Sequence, residues 1–259
     1  MPYADHQGTR IHYQVEGDGP ALVLQHGFTG NLKRWYSLGY VGALKSNYQL
    51  ILMDARGHGE SDKPHDPAAY ALTLRVGDVV AVLDTLRIVK AHYWGYSMGG
   101  WIGFGMAKYA PPRVHSLVIG GAHPYELRLP ASRQLDGSDP EAFLAALFER
   151  LGIDAATIPP AVREELLEND FRALAAAQQD RPSLENTLTT MTMPCCLYAG
   201  DADPLYPKVQ QCAQQIPGAI SFGMAGLDHA AAFREAGLAL PHVIKFLHTV
   251  TQAARKEVA

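Results

Sequence analysis

The chain has 259 residues, 47% of them hydrophobic and 19% charged, with 22 basic and 26 acidic side chains and a formal net charge of −4. That balance, with no cluster of Lys or Arg, excludes a nucleic-acid binder held by phosphate contacts, and the length suits one large α/β domain with a sizeable core. Three cysteines, the adjacent Cys195 and Cys196 and the separate Cys212, give no disulfide framework and read as reduced core residues of a cytoplasmic protein.

The N-terminal "MPYADHQGTRIHYQVEG" has neither a basic start nor an apolar stretch, so no secretory leader is read, and no apolar run approaches a membrane span. Alternation in "RIHYQVEG" predicts an edge hairpin strand, closed by Gly17-Asp18-Gly19-Pro20. Then come apolar runs of strand length: "ALVLQH" (21–26), "QLILMD" (49–54), "AHYWGY" (91–96), "HSLVIGG" (115–121), "CCLYAG" (195–200) and the weaker "ISFGM" (220–224). Continuous apolarity means burial on both faces, as in a parallel sheet. Helix-like segments fall near 32–46, 75–88, 98–109, 205–215 and 231–250, leaving "TQAARKEVA" as a frayed end. The alternation predicts an α/β fold with a doubly wound, mostly parallel sheet.

One connection breaks that rhythm. Residues 123–192 carry no strand signal and read as helices. "SDPEAFLAALFERLG" opens with a capping box from Ser138 and Glu141, and "PPAVREELLENDFRALAAAQQ" is amphipathic through Val162, Leu166, Leu167, Phe171 and Leu174. The insertion leaves at the C-terminal end of a strand, where ligand crevices form in such sheets, so 123–192 reads as a helical cap on a core of 1–122 and 193–259.

The strand "AHYWGY" runs straight into a glycine-studded helix through Gly95-Tyr96-Ser97-Met98-Gly99. A turn that sharp strains the apex residue, and glycines on either side remove side chains that would clash. G-x-S-x-G in this setting is a nucleophile elbow, with Ser97 as nucleophile. A serine hydroxyl needs a base and a group that orients the base, in the chain order serine, acid, histidine. "CCLYAG" ends in Asp201-Ala202-Asp203, and "ISFGM" is followed by "AGLDH" with His229. Asp203 is preferred to Asp201 as the acid, and Asp228, next to the histidine, reads as structural. His6, His12 and His65 read as surface residues, and His123, which precedes the acid, fits a pocket role better than that of the base.

Acyl transfer also needs donors aimed at the developing oxyanion. The backbone N–H of Met98, opening the helix after the elbow, supplies one, and that of Phe28 in "HGFTG" the other. Tyr96, His123, Tyr125, Leu144 and Phe148 are the candidate pocket walls, with Leu127, Leu167 and Phe28 beside them. Arg128 and Arg133 are the nearest basic side chains.

Together "QHGFTG", "MDARGHGESD", "GYSMGG", "GDADP" and "GLDH" resemble the α/β-hydrolase superfamily, in particular its small capped esterases and lactonases, over nearly the whole chain. The resemblance implies Ser97, Asp203 and His229 as the triad and Phe28 and Met98 as oxyanion donors. It also implies that Asp54, Arg56 and Gly57 form a turn that mainly holds the fold. The cap carries no matching motif. Epoxide hydrolases and haloalkane dehalogenases of this fold have an aspartate at the elbow, where this chain has serine.

No H-E-x-x-H, Cys/His cluster, Walker A motif or dinucleotide fingerprint appears, so no metal or cofactor is expected. The function expected is hydrolysis of a small-molecule ester or lactone, short to medium in chain length, with no nucleic-acid or membrane partner. Carbon–carbon bond hydrolysis, thioester hydrolysis and perhydrolysis use the same triad. A slow-turnover ligand receptor of the same fold is the reading from another class.

Overall fold

The computed structural model describes residues 2–128 and 135–258. Eight strands form one sheet: β1 (Tyr3–His6), β2 (Thr9–Glu16), β3 (Ala21–Gln25), β4 (Gln49–Met53), β5 (Ala91–Tyr96), β6 (Val114–Gly120), β7 (Cys195–Gly200) and β8 (Ile220–Met224). Their spatial order is β1-β2-β4-β3-β5-β6-β7-β8. The first two pairings, β1 with β2 and β2 with β4, are antiparallel, and every later one is parallel. The sheet is therefore the mostly parallel one that the continuous apolar runs predict. Its interior strands β5 and β7 are buried at every residue.

Helices cover both faces. On one lie α1 (Lys33–Ser37), α2 (Tyr40–Leu44), α9 (Ala231–Arg234) and α10 (Ala236–Val258), and on the other α3 (Leu72–Thr85), α4 (Met98–Tyr109) and α8 (Tyr206–Gln215). Side-chain alternation along β3 feeds both layers, with Leu22 and Leu24 against Trp35 and Tyr40 and Val23 in the cluster of Val76 and Phe104.

Several local expectations change. β2 is an interior strand; the edge strand is β1, and their hairpin closes at Gln7-Gly8, both with positive φ (54° and 80°). Those two residues set the turn that composition alone did not single out. The helical segment 32–46 breaks into α1 and α2 at Gly39, whose φ is 84°. "TQAARKEVA" is not frayed backbone, because α10 continues to Val258.

Between β6 and β7 the chain forms α5 (Pro140–Leu151), α6 (Pro160–Leu167) and α7 (Phe171–Ala177), which share a separate apolar cluster of Phe143, Leu144, Phe148, Leu166, Phe171 and Leu174. The Ser138–Glu141 capping box is not used. Asp139 caps α5 instead, accepting from Ala142 N at 2.9 Å, because Pro140 fits the first helical position. Asp170 likewise caps α7 and separates it from α6. Among the described residues no helix is long and apolar enough to cross a membrane.

Candidate active site

The elbow is built by backbone approach. Ser97 links β5 to α4 with φ 53° and ψ −112°, a conformation a side-chain-bearing residue holds only under external constraint. The constraint is visible at the flanking glycines. A Cβ on Gly95 would lie 2.2 Å from the Gly99 carbonyl oxygen, and one on Gly99 would lie 2.2 Å from the Gln25 carbonyl oxygen. No side-chain rotation relieves such contacts. Gly27, two residues beyond β3, brings its loop against Ser97: a Cβ there would stand 3.3 Å from that of Ser97.

His229, 4% exposed, lies between the other two groups. Its Nε2 is 2.9 Å from Ser97 Oγ and its Nδ1 is 2.6 Å from Asp203 Oδ2. Three residues 132 and 26 positions apart in sequence thus form one hydrogen-bonded chain, at the C-terminal ends of β5, β7 and β8. Asp203 has a fully buried side chain, and its second oxygen accepts from Leu205 N at 2.9 Å, which fixes the carboxylate. Asp201 is exposed and accepts from Gly226 N at 2.6 Å, holding the loop that leads to His229. Asp228 accepts from Ala231 N at 2.6 Å and caps the turn after the histidine. Gly200 lets the two loops close, since a Cβ on it would meet the Leu227 carbonyl oxygen at 1.9 Å.

The amide of Met98 opens α4 and so has no i−4 carbonyl partner within the helix. The Met98 side chain points the other way, its sulfur accepting from Arg75 at 3.1 Å. Phe28 sits in the loop after β3, its ring 5.5 Å from His58 and 6.3 Å from Phe143 of α5.

Ser97 opens onto two chambers. The first, about 140 Å³, has His229, Tyr96, Phe28 and Phe148 in its wall, completed by Leu and Val side chains of α5 and α6 and by Ile153 and Ile158 between them. The second, about 90 Å³, is bounded by His123, Tyr125 and Leu127 after β6 and by Arg150 and Arg181 from the inserted segment. Tyr96 and Phe148 thus fall in one chamber and His123 and Tyr125 in the other. Leu144 faces neither; it is 1% exposed in the interior of the inserted helices, and Leu147, one turn on, takes the wall position. Leu167 also lines neither chamber. Arg128 is exposed and paired with Glu126, and Arg133 lies outside the described residues.

Four features escaped the sequence reading. Tyr96 donates from its hydroxyl to the His229 carbonyl at 2.6 Å, tying the elbow to the histidine loop. Arg75 is buried, and among the described residues no carboxylate forms an ion pair with it: it donates to Tyr70 O at 2.9 Å, Ala177 O at 2.9 Å and the Met98 sulfur, and burial pulls its pKa down to about 10. His12 is not at the surface; its Nδ1 meets Asp54 at 2.7 Å, and Asp54 also accepts from Leu32 N and Glu60 N, so this carboxylate organises the turn before Arg56. Arg56 in turn donates to Asp78 of α3 at 2.6 Å, a buried pair that locks the turn to that helix. The pairings themselves leave no sequence signal, because each motif residue meets a partner that is distant in the chain.

The inserted helices meet the core partly through polar contacts. Glu165 binds Arg34 at 3.4 Å and accepts from Asn31 at 3.2 Å, and Asn169 donates to Thr29 O at 3.1 Å. Thr29 and Arg34 also line the first chamber, so these contacts set its rim. His123 has its pKa pulled down to about 4 by burial and then by Lys208 and Arg181, so it is neutral at pH 7. Among the described residues no group of His, Cys, Asp and Glu is arranged to hold a metal ion.

Known proteins share this organisation. The sequence pattern of the alpha/beta hydrolase fold family matches residues 20–151. A Bacillus subtilis protein with the provisional name 2-succinyl-6-hydroxy-2,4-cyclohexadiene-1-carboxylate synthase is 31% identical over 228 residues, covering 78% of this chain and 81% of that one. The enol-lactonase of Burkholderia xenovorans superposes with a TM-score of 0.80 at 24% identity, over 95% of this chain and 100% of its own. A thermophilic esterase of Thermogutta terrifontis gives 0.81 at 18% identity, over 96% and 98%. At such identities the two superpositions speak for the fold. With the family pattern, the relative matched over 81% of its length and the sheet order in agreement, the chain belongs to the α/β-hydrolase family.

Proposed function

We propose that this hydrolase cleaves carboxylic esters or lactones through an acyl-enzyme on Ser97, without a cofactor. The observation that supports this most strongly is the hydrogen-bonded chain from Ser97 Oγ through His229 to Asp203 at a strained elbow. In this reading His229 Nε2 takes the Ser97 proton as Oγ attacks the ester carbonyl. The N–H groups of Met98 and Phe28 face the oxyanion that develops, and Asp203 stabilises the imidazolium. The tetrahedral intermediate collapses, the leaving oxygen receives the proton from His229, and the alcohol departs. Water, deprotonated by the same ring, then releases the acid and restores Ser97. Residues 123–192 act as a cap whose apolar faces enclose the substrate. The small chambers favour short to medium chains, each methylene that is buried contributing about 0.8 kcal/mol until the space is filled.

The test is a panel of p-nitrophenyl esters from acetate to palmitate, with small lactones alongside. The specificity constant is expected to peak at an intermediate length, and Ser97→Ala to remove turnover throughout. Hydrolysis that survives Ser97→Ala, or a steady rise to palmitate, contradicts the proposal.

A further inference from the structure

The two chambers beside Ser97 each hold two arginines and no Asp or Glu among their described lining residues, and they differ in the rest of their walls. The first is walled by apolar side chains, and of its two arginines Arg34 is engaged by Glu165 while Arg234 lies at the end of the short α9. The second carries Arg181 and Arg150 in its lining, with no Asp or Glu among the described lining residues. Arg75 lies behind it and holds the Ala177 carbonyl.

Arg181 is placed firmly. Its backbone pairs with Leu127 in both directions, at 2.8 and 3.0 Å, and its guanidinium lies 4.6 Å over the Trp101 ring. Among the described residues no hydrogen bond or ion pair engages that guanidinium. Burial, and then the like charges of Arg75 and Arg150, pull its pKa down to about 9, so it is still protonated at neutral pH. A second polar atom of the chamber is also unpartnered: His123 is 8% exposed, and its buried Nδ1 has no hydrogen-bond partner among the described residues. A fixed cation in a partly enclosed space without a counter-charge is costly, and a ligand anion is what offsets it.

The side on which that anion belongs follows from the proton path. His229 lines the first chamber and not the second. The group that leaves as an alcohol must take its proton from His229, so it occupies the first, apolar chamber. The acyl chain then extends from Ser97 into the second. We infer that the substrate's acyl chain ends in a carboxylate, bound by Arg181, so that the natural substrate is a half-ester of a dicarboxylic acid with an apolar alcohol. This rests on the hydrolase reading above and narrows it. The reaction consumes one water and yields the dicarboxylate and the alcohol.

The experiment compares hexyl half-esters of succinate, glutarate, adipate and pimelate with the neutral hexyl ester of the monocarboxylic acid of matching length. A third set moves the carboxylate to the alcohol side. The wild-type protein is expected to favour one length of half-ester over its neutral counterpart by about tenfold to a hundredfold in kcat/KM, mainly through KM, the scale of one charge-assisted hydrogen bond. In Arg181→Met that ratio is expected to collapse towards one. Arg181→Lys, which keeps the charge but not the planar fork, is expected to recover part of it. Fluorophosphonate labelling of Ser97 in each variant reports an intact site, and the wild-type ratio stands without any variant. Equal turnover of half-esters and neutral esters, or a preference for the carboxylate on the alcohol side, overturns the inference and leaves the hydrolase reading standing. No turnover of any ester, with no labelling of Ser97, overturns both.

Discussion

The elbow and the inserted helices are held by different physics. Around Ser97, backbone meets backbone, and glycines at 95, 99 and 200 permit approaches that a Cβ would turn into contacts of 1.9 to 2.2 Å. The inserted helices bury their own small apolar cluster, and polar side chains such as Glu165 and Asn169 help tie them down. The first arrangement tolerates no drift, which suits groups that must stay within hydrogen-bonding distance through a reaction. The second combines a local apolar cluster with a polar seam, and in the reading proposed above it is the surface that encloses the substrate.

The largest effect that sharpens this contrast is at the acid. Asp203→Asn is expected to lower kcat about 10³- to 10⁴-fold, because the amide cannot stabilise the imidazolium or hold the tautomer that accepts from Ser97. Asp201→Asn leaves the Ser97–His229 contact in place and is expected to cost less than about tenfold, the scale of one loop hydrogen bond. If Asp201→Asn proves the more damaging, the carboxylate is wrongly assigned.

Two glycine replacements test the rigidity of the elbow. Gly99→Ala presses a methyl on the Gln25 carbonyl and is expected to destabilise by about 3 kcal/mol, with loss of turnover. At Gly42 in α2 an added Cβ meets nothing within 4 Å, and Gly42→Ala is expected to stabilise by about 0.5 to 1 kcal/mol through helix propensity. Urea denaturation of both separates the cases, and a mild Gly99→Ala would mean that the elbow is looser than its geometry implies.

The smallest effect is expected at the seam between the two regions. Asn169→Ala removes the donor to Thr29 O and is expected to raise KM about fivefold while kcat stays within twofold, since only the chamber rim shifts. A fall in kcat with unchanged KM would place the inserted helices in the chemistry itself.

What sequence reveals divides along the same line. β7 was legible to the residue as "CCLYAG", because a strand buried among neighbours needs an unbroken apolar run. "ISFGM" matches β8 in its bounds, although β8 is an edge strand and mostly exposed. The elbow was legible because its glycines and serine answer a local steric problem. The order of Asp203 and His229 along the chain placed them at successive strand ends. Leu144 was misplaced because an amphipathic helix shows that a face is buried without saying against what. Arg181 went unnoticed because a lone arginine in "QQDRPS" resembles any surface residue until the fold sets it over Trp101. Arg75 and His12 were hidden for the same reason: their partners are set by tertiary packing rather than by spacing.

The central claim is that Ser97 carries the acyl group, and mass spectrometry of the protein quenched during turnover of a p-nitrophenyl ester tests it most directly. The account predicts the mass of the acyl group on the peptide containing Ser97, appearing with the burst of nitrophenol and absent from Ser97→Ala. An acyl group on any other residue, or a full burst with Ser97 replaced, would contradict it.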